Sequence, residues 1–226
     1  MFVADNGKDF QRARSKDQKR ERRQDILSAA RAHLADVGFE GFSMGPLAKA
    51  AGLARATLYL YFPSREEVLL ELYLESARAW TSAIERSASP GMSPADFLDV
   101  FYDVSFETPL FLELAPRLAA TIEVNVSPES LIAGKRMNAE LAQRLVVHTS
   151  LIFSLSLEQS AAMFTGLFAL LIGSIQIMTR PNVDLDPLPE DVREMMTGLD
   201  SKALFLTNGV LLMKGSQASV GSSSQS

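Results

Sequence analysis

Apolar residues recur at helical rather than alternating spacing along most of the chain. Ile26, Ala30, Leu34 and Val37 share one face and predict a helix from about residue 19 to 37, closed by Gly38 as a C-cap. Leu69, Leu72, Ser76, Ala79 and Ala83 mark a long helix from Ser64 to about Arg86; Ser64-Arg65-Glu66-Glu67 opens it as a capping box and Ser89-Pro90-Gly91 breaks it. Further helices are predicted from Ser93-Pro94 to about Phe106, from Pro109 to about Val124 and from Ser127-Pro128 to about His148. A strongly apolar helix follows from Ser156 to about Thr179, opened by the capping box Ser156-Leu157-Glu158-Gln159. A loop over Pro181 to Pro189 leads to a last helix from Glu190 to about Lys214, with Gly198 and Gly209 as weak points. No strand pattern and no internal repeat is present.

The run SMGPLAKAAGLARATLYLYF, residues 43 to 62, adds two short helices joined by a sharp turn. Ser43 is the expected cap of the first. Ala48 gives the small residue needed where two backbones approach, and Gly52 can take the positive φ that reverses the chain. Leu47, Leu53, Leu58 and Phe62 form the expected inward face. Arg55, Ala56, Thr57, Tyr59 and Tyr61 are left outside. One guanidinium, one methyl, one hydroxyl and two phenols suit a DNA groove: arginine pairs with guanine, Ala and Thr touch a thymine methyl, and tyrosine donates to phosphate. An ordinary helical hairpin used for protein interaction is the alternative.

Residues 38 to 69, GFEGFSMGPLAKAAGLARATLYLYFPSREEVL, resemble the signature of the TetR family of bacterial one-component transcriptional regulators. The match is carried by Gly38, Phe39, Ser43, Leu47, Ala48, Ala51, Gly52, Leu53, Thr57, Leu58, Tyr59, Tyr61, Phe62, Arg65 and Glu66, and it covers the first third of the chain. Ala54 stands where the family usually has a capping Ser, which costs about 1 kcal/mol if nothing replaces it. Pro46 replaces a residue that is commonly charged, in a first turn where its missing N–H is harmless. The resemblance implies an all-α protein of about nine helices, a three-helix DNA-binding domain followed by a helical bundle for ligand binding and dimerisation. It also implies a repressor that binds as a homodimer and is released by a small molecule.

Charge fits that reading once it is divided by position. Residues 1–65 carry 12 Lys or Arg against 7 Asp or Glu, whereas residues 66–226 carry 10 against 20. The basic end coincides with the two-helix motif and turns it toward phosphates. Within it Arg12, Arg14, Lys16, Lys19, Arg20, Arg22 and Arg23 form a basic run, read as a phosphate-tracking arm with Arg20 and Arg23 as contacts. The DNA-binding set is Ser43, Arg55, Ala56, Thr57, Tyr59, Tyr61, Arg65, Arg20 and Arg23. Domains are expected at 1–18 (flexible basic arm), 19–63 (DNA-binding), 64–214 (effector-binding and dimerisation) and 215–226 (Ser-rich disordered tail).

The middle helices carry the rings that would line an effector pocket: Trp80, Phe97, Phe101, Tyr102, Phe106, Phe111, Phe164 and Phe168, with Met137. Few polar side chains accompany them, so a small apolar or aromatic effector is favoured. The uncharged stretch Ala161 to Met178 is about the minimum length for a bilayer span. Thr165, Gly166, Gly173, Ser174 and Gln176 interrupt it, so a buried or dimer-forming helix is expected and no membrane partner. The resemblance implies a dimer contact over roughly 158–179 and 190–213, with Gly166, Ala169, Gly173, Ile177, Leu204 and Leu211 as candidates. A two-fold dimer places two reading helices in successive major grooves, about 34 to 36 Å apart, on a near-palindromic double-stranded operator.

The chain has no cysteine, which removes disulfides, zinc fingers and thiol catalysis. His33 and His148 are the only histidines, neither lies in a Glu-x-x-His pair, and no phosphate-binding or His-Glu-x-x-His motif occurs. No enzyme activity, cofactor or metal is expected. The first twenty residues lack the apolar core of a signal peptide, so a cytoplasmic location is expected.

Overall fold

A computed structural model of the protein describes residues 6–178, 184, 186–198 and 200–218, with side chains described from residue 17 onward except those of 178, 197, 217 and 218. Its described residues form ten α-helices and no strand: α1 Asn6–Gly41, α2 Met44–Ala50, α3 Arg55–Tyr61, α4 Arg65–Ser87, α5 Pro94–Phe106, α6 Pro109–Leu114, α7 Pro128–Phe153, α8 Leu157–Met178, α9 Glu190–Thr197 and α10 Ser201–Ala218. The all-α reading holds, and the differences from the expected elements are local. Helix α1 begins at Asn6, well before residue 19, because KDFQRARSKDQKRERRQ is rich in strong helix formers and an i,i+3 pair joins Asp17 to Arg20 at 3.1 Å. The expected helix over 109–124 ends at Leu114 and continues as a 3₁₀ turn, a π turn and a second 3₁₀ turn over 115–125. The last helix is two, since Gly198 ends α9. The tail expected to be disordered from 215 is helical to Ala218; residues 219–226 lie outside the described residues, as does most of the loop expected over 181–189.

Two compact units result, and their boundaries depart from the sequence reading. The first holds residues 1–75 together with 117–134; the second holds 76–116 and 135–226. Both α4 and α7 run from one unit into the other.

The first unit is built on Ile26, Leu27, Ala30 and Leu34 of α1, fully buried together with Leu47, Leu58, Phe62, Val68 and Leu69. Gly38 takes φ +68°, so the chain leaves the long helix there. At the start of α4 the capping box is only half made. The Ser64 hydroxyl accepts from the Glu67 N–H at 3.1 Å, but the Glu67 carboxylate does not return the bond; it turns to the start of α7 and accepts from the Ser127 N–H at 2.8 Å and the Ser130 hydroxyl at 2.5 Å. Ser64 thereby caps α4, while the buried Glu67 carboxylate in the first turn of α4 caps the start of α7. The second box, before α8, is complete: Gln159 N–H to Ser156 Oγ at 3.1 Å and Ser156 N–H to Gln159 Oε1 at 2.9 Å.

In the second unit α10 packs on α8 and α5. Met163, Leu167 and Leu171 of α8 are buried along with Phe205 and Met213 of α10. Gly209, a weak point for helix propensity, is where α10 meets α5: a Cβ there would lie 2.6 Å from Leu98 Cδ2. The small residue permits the close approach.

Burial raises the Glu67 carboxyl, but the Ser130 and Ser127 hydrogen bonds and the Arg23 charge outweigh it and hold it below its ordinary value. A carboxyl depressed on folding contributes stability above the unfolded carboxylate range and loses it as pH falls through the folded value. Glu67→Gln should lower stability by about 1 to 3 kcal/mol at pH 7, and the gap from the parent should shrink as pH falls below 4 to 3, read by thermal melts across that range.

Candidate nucleic-acid interface

The two-helix motif is assembled by backbone chemistry that its glycine makes possible. Gly52 sits at φ +65°, its N–H donates to Lys49 O at 3.1 Å, and the Leu53 N–H donates to Ala48 O at 2.9 Å. That pair of bonds is a Schellman ending for α2. Leu47, Ala48, Leu58 and Phe62 are buried as expected, while Leu53 is only half-buried. Ser43 occupies the cap position of α2 in extended conformation, yet its side chain makes no capping bond. Ala54 likewise leaves α3 without a side-chain cap, as the sequence indicated.

What fixes α3 is Arg23. Its Nη1 donates to Tyr61 O at 2.6 Å, its Nε and Nη2 pair with the Glu71 carboxylate, and its guanidinium lies 4.0 Å from the centre of the Phe62 ring. The side chain closes the C-terminal end of α3 against α1 and α4. One N–H on each guanidinium nitrogen and one face are thus committed within the chain, so Arg23, expected as a phosphate contact, serves here to seat α3. Arg65, likewise expected on DNA, is also held within the chain. It donates to Phe39 O, stacks 4.6 Å from the Phe39 ring, lies 3.8 Å from the Glu66 carboxylate, and its Nε is buried. Arg117 lies over that same ring at 4.8 Å, so two guanidinium groups attend one phenyl in this unit.

The outward set is otherwise brought together. Arg55, Ala56 and Tyr59 are exposed, Thr57 and Tyr61 are half-buried, and the Arg55 guanidinium lies 5.9 Å from the Tyr59 ring. Arg20 is exposed and paired with Asp17. Gln18, Lys19, Glu21, Arg22, Asp25 and Tyr61 line an open polar depression of 670 Å³ between α1 and the end of α3. Lys19 and Arg22, members of the basic run, stand there beside Tyr61, with Arg22 3.7 Å from Asp25. One residue was missed. Leu60 is 78% exposed in the last turn of α3. Counting two positions on from buried Leu58 would have placed it on the outer face, but a leucine inside an apolar motif reads as core.

In the second unit Trp80 gathers the predicted rings. It stacks on Phe111 at 4.5 Å, meets Phe101 edge-on at 5.4 Å, and lies 6.2 and 6.1 Å from Phe164 and Phe168. The Trp80 indole N–H donates to Ser105 Oγ at 2.9 Å. Phe97 joins through Phe101 at 6.0 Å. Tyr102 sits to one side, its hydroxyl 2.6 Å from Ser201 Oγ. Phe106 does not line this cluster: it is 45% exposed and stacks on Tyr102 at 4.4 Å, because it falls at the open end of α5. Met137 is half-buried.

Among the dimer candidates, Ile177 is 64% exposed, Ala169 and Leu211 are exposed, and Gly173 and Leu204 are half-buried. Gly166 is half-buried, and a Cβ there would sit 3.4 Å from Leu212 Cδ2 of the same chain, so within the chain its smallness serves α8 against α10.

Residues 26–72 match the model for bacterial regulatory proteins of the tetR family, and residues 74–195 match the tetracyclin repressor-like C-terminal domain. The chain belongs to the TetR family. This TetR chain is 30% identical over 142 residues to the HTH-type transcriptional regulator EthR of Mycolicibacterium smegmatis, covering 61% of each, and 28% identical over 130 residues to the transcriptional repressor KstR of that organism, covering 56% of this chain and 64% of that one. It thus spans less than two thirds of the length of these curated relatives. Thermus thermophilus FadR, a TetR family repressor solved in complex with lauroyl-CoA, shares the fold with TM-score 0.52 and 22% identity over 85% of this chain and 94% of that chain. These relatives are transcriptional regulators, not enzymes.

Arg23→Met should lower stability by about 1 to 3 kcal/mol and weaken duplex binding through loss of α3's seat. Lys19→Ala and Arg22→Ala should leave the melting temperature unchanged and each flatten the salt dependence of binding by about one unit of log–log slope, measured by anisotropy at several salt concentrations. A stable Arg23→Met variant with a flattened slope would return Arg23 to the phosphates.

Proposed function

We propose that this TetR-family protein is a sequence-specific repressor that binds a near-palindromic operator as a homodimer and is released by a small apolar or aromatic effector. The observation that carries the reading is the outer face of α3. Arg55, Ala56, Thr57, Tyr59 and Leu60 stand out from a short helix whose Leu58 is fully buried, with Phe62, just beyond it, buried as well. A rigid helix with that face outward, in the basic third of the chain, suits the major groove. Arg55 and Thr57 are the proposed base readers, and Tyr59 and Tyr61 the proposed phosphate donors.

Dimerisation is supported by the outer surface of α8. Its stretch Leu157–Ile177 has mean hydropathy 1.7, enough in length and composition to cross a membrane, yet only 28% of it is buried within the chain. Ile177, Leu211 and Leu212 leave an apolar surface there that a second copy would cover. The double variant Ile177→Asp/Leu211→Asp should sediment as a monomer and lose at least about tenfold in affinity for a full palindrome, while the parent sediments as a dimer that selects paired half-sites from a randomised duplex pool. A parent that is monomeric when bound, or that selects no sequence, would overturn the reading.

The effector would enter the ring cluster around Trp80, the only tryptophan of the chain. Phe164 and Phe168 are half-buried and form its open side. A change among these helices would be carried to the reading helices through α4, which runs between the units; a coupling of about 1 to 3 kcal/mol gives a 5- to 150-fold change in operator affinity. Lauroyl-CoA, the ligand seen with T. thermophilus FadR, is a reasonable first probe among apolar compounds. A compound that displaces the selected duplex should shift Trp80 fluorescence; displacement with unchanged emission would move the effector site elsewhere.

A further inference from the structure

Leu60 stands out because the rest of the exposed surface of α3 has hydrogen-bonding chemistry or a single methyl. Its direction follows from helix geometry. At about 100° per residue, taking buried Leu58 as the inward direction, Arg55 and Tyr61 lie ~60° away, Thr57 and Tyr59 ~100° away, and Ala56 and Leu60 ~160° away. Burial agrees at the two extremes: Leu58 is buried, and Ala56 and Leu60 are exposed, Leu60 to 78% against 39% for Tyr59. The two side chains that project farthest from the core are thus Ala56 and Leu60, one turn apart on one line. Polar Thr57 and Tyr59 flank that line on either side.

We infer that Leu60, beside Ala56, reads the C5-methyl of thymine on the floor of the major groove and is a specificity-determining residue. This rests on the reading of α3 as a duplex-binding helix. A leucine has no donor or acceptor, so the guanine and adenine edges and the cytosine amino group gain nothing from it. Facing them it would strip water without replacing its hydrogen bonds. Among the groups on the groove floor, only the thymine methyl rewards an apolar neighbour. Ala56, the smallest side chain on the face, lets the helix approach closely enough for the longer Leu60 to land. Arg55, Thr57 and Tyr59 lie nearer the groove walls and serve guanine edges or phosphates at the margins.

The test uses a duplex selected by the parent from a randomised pool, resynthesised with deoxyuridine in place of each thymine in turn. This removes one methyl and keeps every hydrogen-bonding group. The parent should lose roughly fourfold in affinity, the value for one buried carbon, at one or two adjacent positions in each half-site. Leu60→Ala, whose stability should match the parent because the residue is exposed, should bind the thymine duplex more weakly and lose that sensitivity, while the effect of base changes opposite Arg55 persists. A parent that binds but is indifferent to uracil at every position overturns the inference and leaves the regulator reading intact. The same holds if Leu60→Ala keeps the parent's full sensitivity. A parent that retains no duplex overturns both.

Discussion

The geometry of the reading helix depends on the Arg23 guanidinium. Helix α3 has seven residues and no side-chain cap, far short of the about 12 to 15 residues at which an isolated helix becomes even marginally stable. Its conformation is therefore imposed from outside. Buried Leu58 and Phe62 supply the apolar anchor, and Arg23, itself held by Glu71 of α4, supplies direction, since α3 can neither rotate nor withdraw without losing the bond to Tyr61 O and the Phe62 face together. A lysine would satisfy one of these partners at a time; the planar fork satisfies all of them.

This use of arginine changes the electrostatic picture of the basic third of the chain. Arg23 and Arg65 count toward its positive balance, but both are turned inward, each stacked on a phenylalanine and bonded to a backbone carbonyl. Lys19, Arg22 and Arg55 stay exposed, Arg22 beside Asp25 at 3.7 Å. Lysine and arginine counts measure the field at a distance; only geometry tells which cations can touch a phosphate.

The parts legible in the sequence were those fixed by local chemistry. Gly52 announced a positive φ, Ser156 and Gln159 announced a reciprocal cap, and Pro94 and Pro128 announced helix starts that the structure places there. Long-range partners stayed hidden. Nothing in Ser64-Arg65-Glu66-Glu67 indicates that its carboxylate will serve Ser127 and Ser130, sixty residues and more away. Phe106 read as a pocket residue because its neighbours Phe101 and Tyr102 are buried, yet it falls on the open end of α5. Residue type fixes what a side chain can do but not which neighbour it meets.

The head of this protein is consequently not a contiguous piece of sequence. Residues 117–134 fold with residues 1–75, holding to them through Glu67 at the start of α7, through Ser64 Oγ to Asn125 O at 3.4 Å, and through Arg117 over Phe39. The family match for the N-terminal portion stops at residue 72, inside α4, and so omits this segment. A fragment cut near residue 63 would keep α1, α2 and α3 but lose Glu71, and with it half of the Arg23 clasp. A fragment ending at 75 would keep Glu71 yet leave the Glu67 carboxylate with no helix start to serve. The segment that completes the head leads directly into α7, just as α4 leads out of it, so the chain enters the second unit twice, each time through a helix whose first turn is tied to the other's by a single carboxylate. Along α4 itself, Glu71 meets Arg23 and through it the end of α3, so the carboxylates at 67 and 71 divide the work: one joins α4 to α7, the other joins α4 to the clasp on α3.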